Sequence, residues 1–212
     1  MLIFDNQAIQ GIYMKDLIGL VVCGGFSSRM GRDKGLLHYH GLSQRYYLYQ
    51  LLQPFCKKVF ISCNVKQAAG ILTGYACITD DQKYGTIGPM AAMLSAIEQY
   101  PQDAFLVVGC DYPFIRKEDI LQLINSRNKY DTAVSFFNEA GNMYEPLLSV
   151  YEKNIVASIP ENYHRQQYSL QSVLQLANAG KVYPRQMKTI KSIDTYDDYL
   201  IAIEQIKRAA AE

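Results

Sequence analysis

Two continuous apolar runs, Leu17 to Cys23 and Ala104 to Gly109, stand out from a chain whose hydrophobic positions otherwise recur mostly at helical spacing. A run without polar alternation, closed by glycine or a turn, is what a strand buried on both faces requires. Each therefore predicts a central strand of a parallel sheet. Lys58 to Cys63 and Tyr75 to Thr79 are shorter runs of strand type, and Thr132 to Phe136, Pro146 to Tyr151 and a segment around Lys188 to Ile193 extend the set. Helices are predicted over Gln44 to Gln53, Lys66 to Leu72, Met90 to Gln99, Lys117 to Ser126, Lys153 to Ile159, Ser169 to Ala179 and Tyr196 to Ala210. Strands alternating with helices imply right-handed crossovers and a three-layer α/β/α, Rossmann-like arrangement around a mostly parallel sheet.

With 212 residues, the expectation is one domain, residues 1 to 212, with residues 1 to 13 as an N-terminal extension. Met1 to Lys15 carries Asp5 and lacks a small-residue cleavage pattern, so it reads poorly as a secretory signal. No apolar run approaches the roughly 20 residues of a membrane span. The five cysteines are odd in number and never spaced C-x-x-C, which argues against a disulfide framework or a zinc site and favours the reducing cytoplasm. Lys and Arg total 21 against 20 for Asp and Glu, so no global field gathers nucleic acid or anionic lipid. Any phosphate chemistry is therefore local.

In open α/β sheets, ligands sit at the carboxyl ends of the strands. That rule puts the loop after Cys23, Asn64, the pair Asp80 and Asp81, and Asp111 along one edge. The loop reads Val21-Val22-Cys23-Gly24-Gly25-Phe26-Ser27-Ser28-Arg29-Met30-Gly31-Arg32-Asp33-Lys34. Its glycines fit neither G-x-G-x-x-G nor G-x-x-x-x-G-K-[ST]. Consecutive glycines still let backbone N–H groups approach a phosphate, while Arg29 and Lys34 supply cationic donors.

This loop resembles the L-A-G-G-x-S-x-R-M-G-x-D-K signature of the molybdenum cofactor guanylyltransferases, with Val22 and Cys23 in place of Leu and Ala. Ser62-Cys63-Asn64 resembles the family's strand-end Asn. Asp81, seven residues before Gly88-Pro89, resembles its E-D…G-P-L-A-G segment, and Cys110-Asp111-Tyr112-Pro113 its C-D-x-P metal loop. Glu145-Pro146-Leu147-Leu148 and Tyr168-Ser169-Leu170 are looser matches. Ser192-Ile193-Asp194-Thr195 departs from the usual N-x-N-T-P, lacking both asparagines and the proline.

The resemblance implies a nucleotidyltransferase fold and transfer of GMP from GTP to molybdopterin or its molybdenum form, with pyrophosphate leaving. It implies Mg2+ on Asp111, catalytic Arg29, Lys34 and Asp111, and nucleotide contacts from Val22, Cys23, Gly24, Gly25, Lys34, Asn64, Asp81 and Asp111. GTP and the pterin are the expected partners, with transient contact to other cofactor-biosynthesis proteins or acceptor enzymes, and no nucleic acid or membrane. A carboxylate can accept paired hydrogen bonds from the N1–H and 2-amino edge of guanine. Asp81 suits that role and Asp80 stays open beside it. A loop or helix cap also accounts for both, and a turn accounts for Asn64. A cytidylyltransferase or other nucleotidyltransferase of the same fold stays open, as does a nucleotide-binding regulatory module without turnover.

Other features are read as structural. His38 and His40 lie on one side of an expected edge strand with no third metal ligand nearby. Tyr46, Tyr47 and Tyr49 suit mixed core and surface packing, and Cys23 and Cys110 are small buried fillers.

Overall fold

The first strand, β1 (Leu17–Val22), is buried along its whole length, as its unbroken apolar sequence demands. The computed structural model describes residues 16–23, 33–127 and 132–209. Six further strands among these residues are β2 (Lys58–Cys63), β3 (Cys77–Thr79), β4 (Ala104–Gly109), β5 (Ala133–Asn138), β6 (Met143–Tyr151) and β7 (Gly180–Val182). The helices are α1 (Gln44–Leu52), α2 (Val65–Ala68), α3 (Pro89–Gln99), α4 (Lys117–Asn125), α5 (Lys153–Val156), α6 (Ile159–His164), α7 (Leu170–Leu176) and α8 (Tyr196–Ala209).

The sheet order is β3-β2-β1-β4-β6-β5-β7. Strands β1 to β4 pair in parallel, β6 runs antiparallel to both β4 and β5, and β7 is parallel to β5. Only β6 therefore opposes the common direction among the described strands. Alternate residues of each strand feed two cores. Val21, Ile61 and Val108 pack under α1 and α4, while Leu20, Phe60 and Val107 pack under α3 and α5 to α7. That alternation gives the three layers.

Packing rather than capping holds α1. The Ser43 side chain meets His38 Nε2 at 3.4 Å and makes no capping hydrogen bond, whereas Tyr46, Leu48, Tyr49 and Leu52 are buried. Each such side chain contributes about 1.5–3 kcal/mol, against about 1 kcal/mol for a cap. Gly19 of β1 makes the approach possible, since a Cβ there would meet Cys56 Sγ and Val59 at 3.1 Å.

Several expectations are corrected. The segment 188–193 is not a strand: Met187–Ile190 is a 3-10 turn followed by an extended strap. Its buried apolar residues, Ile190 and Ile193, are three apart, and Thr189 donates to Asp119 Oδ1 at 3.3 Å. The edge strand is instead β7, paired with β5. The helix expected over Lys153 to Ile159 breaks into α5 and α6, because Pro160 has no N–H to donate and sits in the first turn of α6. His38 to His40 forms no edge strand and makes only an isolated bridge, His38 to Ser43. His40 Nε2 lies 2.8 Å from the Pro113 carbonyl and its ring stacks on Tyr47. Tyr46 and Tyr49 pack on Tyr75.

Candidate functional site

Parallel pairing of β3, β2, β1 and β4 brings four carboxyl ends side by side. Backbone bonds carry the ladder one residue past the strands: Cys23 N–H donates to Ser62 O, Cys110 N–H to Val22 O, and Asp80 N–H to Cys63 O, at 2.9 to 3.0 Å. These strand ends leave Cys23, Asn64, Asp80 and Asp111 around one mouth.

Asp111 is the acid of this mouth. Its Oδ1 is buried and has no hydrogen-bond partner among the described residues. Burial pushes its carboxyl above the usual range; the nearby Lys34 ammonium opposes that and Asp194 adds to it. Lys34 begins the turn Lys34–Leu36, whose cap is Asp33, with Oδ1 accepting from Gly35 N–H at 2.8 Å. Lys34 Nζ lies 2.6 Å from Asp194 Oδ1. The strap bearing Asp194 is fixed by Ile193 N–H, which donates to the Asp111 carbonyl at 2.9 Å. Lys34, Asp111 and Asp194, from distant parts of the chain, thus share the mouth.

Of the sequence-predicted residues, Cys23, Lys34 and Asp111 are brought together. Val22 ends β1 with its side chain in the core. Gly24, Gly25 and Arg29 lie outside the described residues. The Asn64 side chain serves a helix cap: its Oδ1 accepts from Gln67 N–H at 2.9 Å, while Gln67 Oε1 accepts from Asn64 N–H at 3.0 Å. The Asp81 carboxylate also turns to local partners, capping Lys83 N–H at 2.9 Å and pairing with Lys83 Nζ at 3.3 Å. Asp80 is the more enclosed acid. Ser62 Oγ–H donates to it at 2.6 Å, and burial raises its carboxyl despite that bond.

Three contributors were given no site role from the sequence, although Glu145 opens one of the looser motif matches. Gln67 Nε2 donates to Asp33 Oδ2 at 2.9 Å and faces Cys23 O at 3.4 Å, so it ties together both ends of the 24–32 segment. Its only sequence signal was the N-x-x-Q spacing of a capping box after a strand. Glu145 reaches the mouth through an irregularity in the sheet. The register shifts between Ser135 and Phe137 of β5, opposite the stretch of β6 that holds Pro146, which cannot donate to a ladder. Ser135 and Ser149 hydroxyls satisfy the freed Glu145 carbonyl at 3.0 and 2.8 Å. The Glu145 carboxylate accepts from Tyr112 Oη–H at 2.8 Å, and burial pushes it above the usual range. The buried Tyr39 hydroxyl has no partner among the described residues, and Asp111 is near enough to raise its pKa further after burial and Tyr199.

Comparison with known proteins bears on the family and the fold. The sequence profile of the MobA-like NTP transferase domain matches residues 19–182, from β1 through β7. A molybdenum cofactor biosynthesis bifunctional protein of Synechocystis sp. is 29% identical over 184 residues, 86% of this chain and 52% of that protein. The chain thus spans about half the length of that relative. A probable molybdenum cofactor guanylyltransferase of Halalkalibacterium halodurans is 27% identical over 169 residues, covering 77% of this chain and 83% of the other. The crystal structure of molybdopterin-guanine dinucleotide biosynthesis protein A from Archaeoglobus fulgidus superposes with a TM-score of 0.71 at 20% identity. It covers 90% of this chain and 99% of its own, which shows the fold. With the profile spanning well over half its length, the chain belongs to the family of MobA-like NTP transferase domains.

Proposed function

We propose that the chain transfers GMP from GTP to molybdopterin or its molybdenum form, releasing pyrophosphate, with Mg2+ held at Asp111. The observation that carries this reading is the Asp111 carboxylate, buried at a strand end with a lysine close by and one oxygen that has no partner among the described residues. Magnesium takes oxygen ligands, keeps several waters and needs only one or two carboxylates beside phosphate. Asp111 fits that donor set, and Asp194 is the second carboxylate in reach of the same lysine. When bound, the ion neutralises phosphate charge.

The reaction is attack by an acceptor phosphate oxygen on the α-phosphorus, so two anions must meet. The residues of the chain supply position and counter-charge. Backbone groups of Val22, Cys23 and Gly24 edge the nucleoside, the glycine loop wraps the triphosphate, and Arg29 and Lys34 stabilise charge developing on pyrophosphate. Lys34 must leave Asp194 to do so. Gln67 fixes where the loop begins and ends. Asp81, or Asp80 beside it, reads the guanine edge; whichever of Asp81→Asn and Asp80→Asn lowers the preference for GTP over CTP identifies the reader.

Calorimetric titration with GTP, CTP and ATP, each with Mg2+, tests the proposal when repeated on Asp111→Asn. Selective GTP binding that weakens in the variant supports it. Preference for CTP moves the chain to the cytidylyl relatives, and no nucleotide binding at all defeats the proposal.

A further inference from the structure

We propose that Cys23 and Cys110 form a reversible disulfide site in the floor of the nucleotide mouth, closed by two-electron oxidants of the peroxide or disulfide class. The two residues extend adjacent parallel strands. Val22 pairs with Gly109, and the next pair outward is Cys23 with Cys110. Neighbouring strands lie about 4.8 Å apart, inside the Cα separation of roughly 4.4–6.8 Å that a disulfide spans. Both side chains project to the same face of the sheet, into the core under α1. The cysteines are free thiols, and the sulfurs of this pair lie 2.7 Å apart.

Cys63, on β2, shares that face, but the sulfurs in contact are those of Cys23 and Cys110. Cys23 is the better-placed partner. Its sulfur lies 3.3 Å from where a Cβ would stand on Gly35, in the turn that carries Lys34 at the mouth.

The chemistry balances with the oxidant named. Hydrogen peroxide converts the Cys23 thiol to a sulfenic acid, forming an S–O bond, breaking the O–O bond and releasing one water. The Cys110 sulfur then attacks the Cys23 sulfur, the S–O bond breaks and a second water leaves. Two thiols and one peroxide thus give one disulfide and two waters. A small disulfide reaches the same product by exchange through a mixed disulfide, leaving as two thiols, and a dithiol reductant reverses either route.

The bond ties the residue that opens the glycine loop to the residue before Asp111. Both residues border the nucleotide site proposed above, so closing the bond there is expected to lower nucleotide affinity. By reciprocity, bound nucleotide favours the dithiol by the same factor.

The test uses the full chain, oxidised with hydrogen peroxide and denatured for thiol counting. The count is expected to fall from the five cysteines of the sequence by the two of the closed pair, with a Cys23–Cys110 linkage in the non-reducing peptide map. Affinity for Mg2+ and GTP is expected to fall by about tenfold or more and to return with dithiothreitol. Cys23→Ala places at 23 the alanine usual in the signature; in it and in Cys110→Ser, oxidation leaves GTP affinity at each variant's own reduced value. A count that stays at five, a linkage through Cys63 or between two chains, equal affinity in both states, or the same oxidative loss in Cys23→Ala overturns the proposal. The effect on GTP rests on the function proposed above, but the thiol count does not. A reduced chain that binds no nucleotide defeats that function and leaves the count and the linkage to decide the disulfide.

Discussion

Lys34 and Asp80 are the residues whose environments make the sharpest demands. If Lys34 acts on charge that develops only in the transition state, Lys34→Ala lowers kcat by about 10² or more, as loss of an oxyanion donor does. A raised KM with kcat unchanged, read in steady-state kinetics, would show that it only binds. Asp80 carries a different prediction. Burial raises its carboxyl above 3.8, so the folded chain holds the Asp80 proton more tightly than the unfolded one. Stability therefore falls as pH rises from about 3.8 through the raised value, and stays lower above it. Asp80→Asn keeps an acceptor for Ser62 without the charge. Its melting temperature is expected to exceed that of the parent at pH 7, with the difference vanishing as pH falls below the carboxylate range. Cys23, Lys34 and Asp111 were legible in the sequence because strand ends and loop chemistry alone place them. The orientations of Asn64 and Asp81 were not, because short polar side chains at strand ends choose between ligand and local cap by contacts that spacing does not encode.

Elements show the same division between local and long-range information. β1 and β4 announce themselves as unbroken apolar runs, and α3 and α4 by their helical period. β7 does not: three residues, Gly180–Val182, with an exposed Lys181, become a strand only because β5 offers them a partner. The Lys188 to Ile193 segment fails in the opposite sense: its residues are strand-like, but Thr189 bonds to Asp119 and Ile193 N–H to the Asp111 carbonyl instead of to a sheet edge. The same tertiary contact that turns it gives a test. Asp119 caps α4, accepting from Arg116 N–H at 2.9 Å while Thr189 donates to its other oxygen. Asp119→Ala is expected to cost about 1–2 kcal/mol in denaturant unfolding, as lost caps do. Gln67→Ala removes the clasp on both ends of the glycine loop. It is expected to weaken nucleotide binding in calorimetry by about tenfold, a loss of about 1.4 kcal/mol.

At the scale of the whole molecule, the site closes through residues 160 apart in sequence, Lys34 and Asp194. The closure is built in two steps. Ile193 and Ala202 pack with Leu37, Tyr39 and Phe114, which seats the strap and α8 beside the turn bearing Lys34. The ion pair then forms at the rim, where the Asp194 side chain is about half exposed. An exposed pair contributes about 0–1 kcal/mol to stability, so the pair is too weak to be what holds the strap down. The packed cluster does that, and the ion pair is free to open for substrate. A double-mutant cycle over Lys34→Ala and Asp194→Ala separates these roles. Coupling in unfolding free energy is expected to stay below about 1 kcal/mol, while coupling in kcat/KM exceeds it, because Lys34 would meet the phosphates directly and Asp194 would help hold the Mg2+ that binds them. Asp194→Ala alone is expected to bind GTP more tightly without Mg2+, since a competing anion leaves Lys34, and to turn over more slowly with it. If stability rather than turnover carries the coupling, the pair is a rim contact of the fold and Asp194 takes no part in the chemistry.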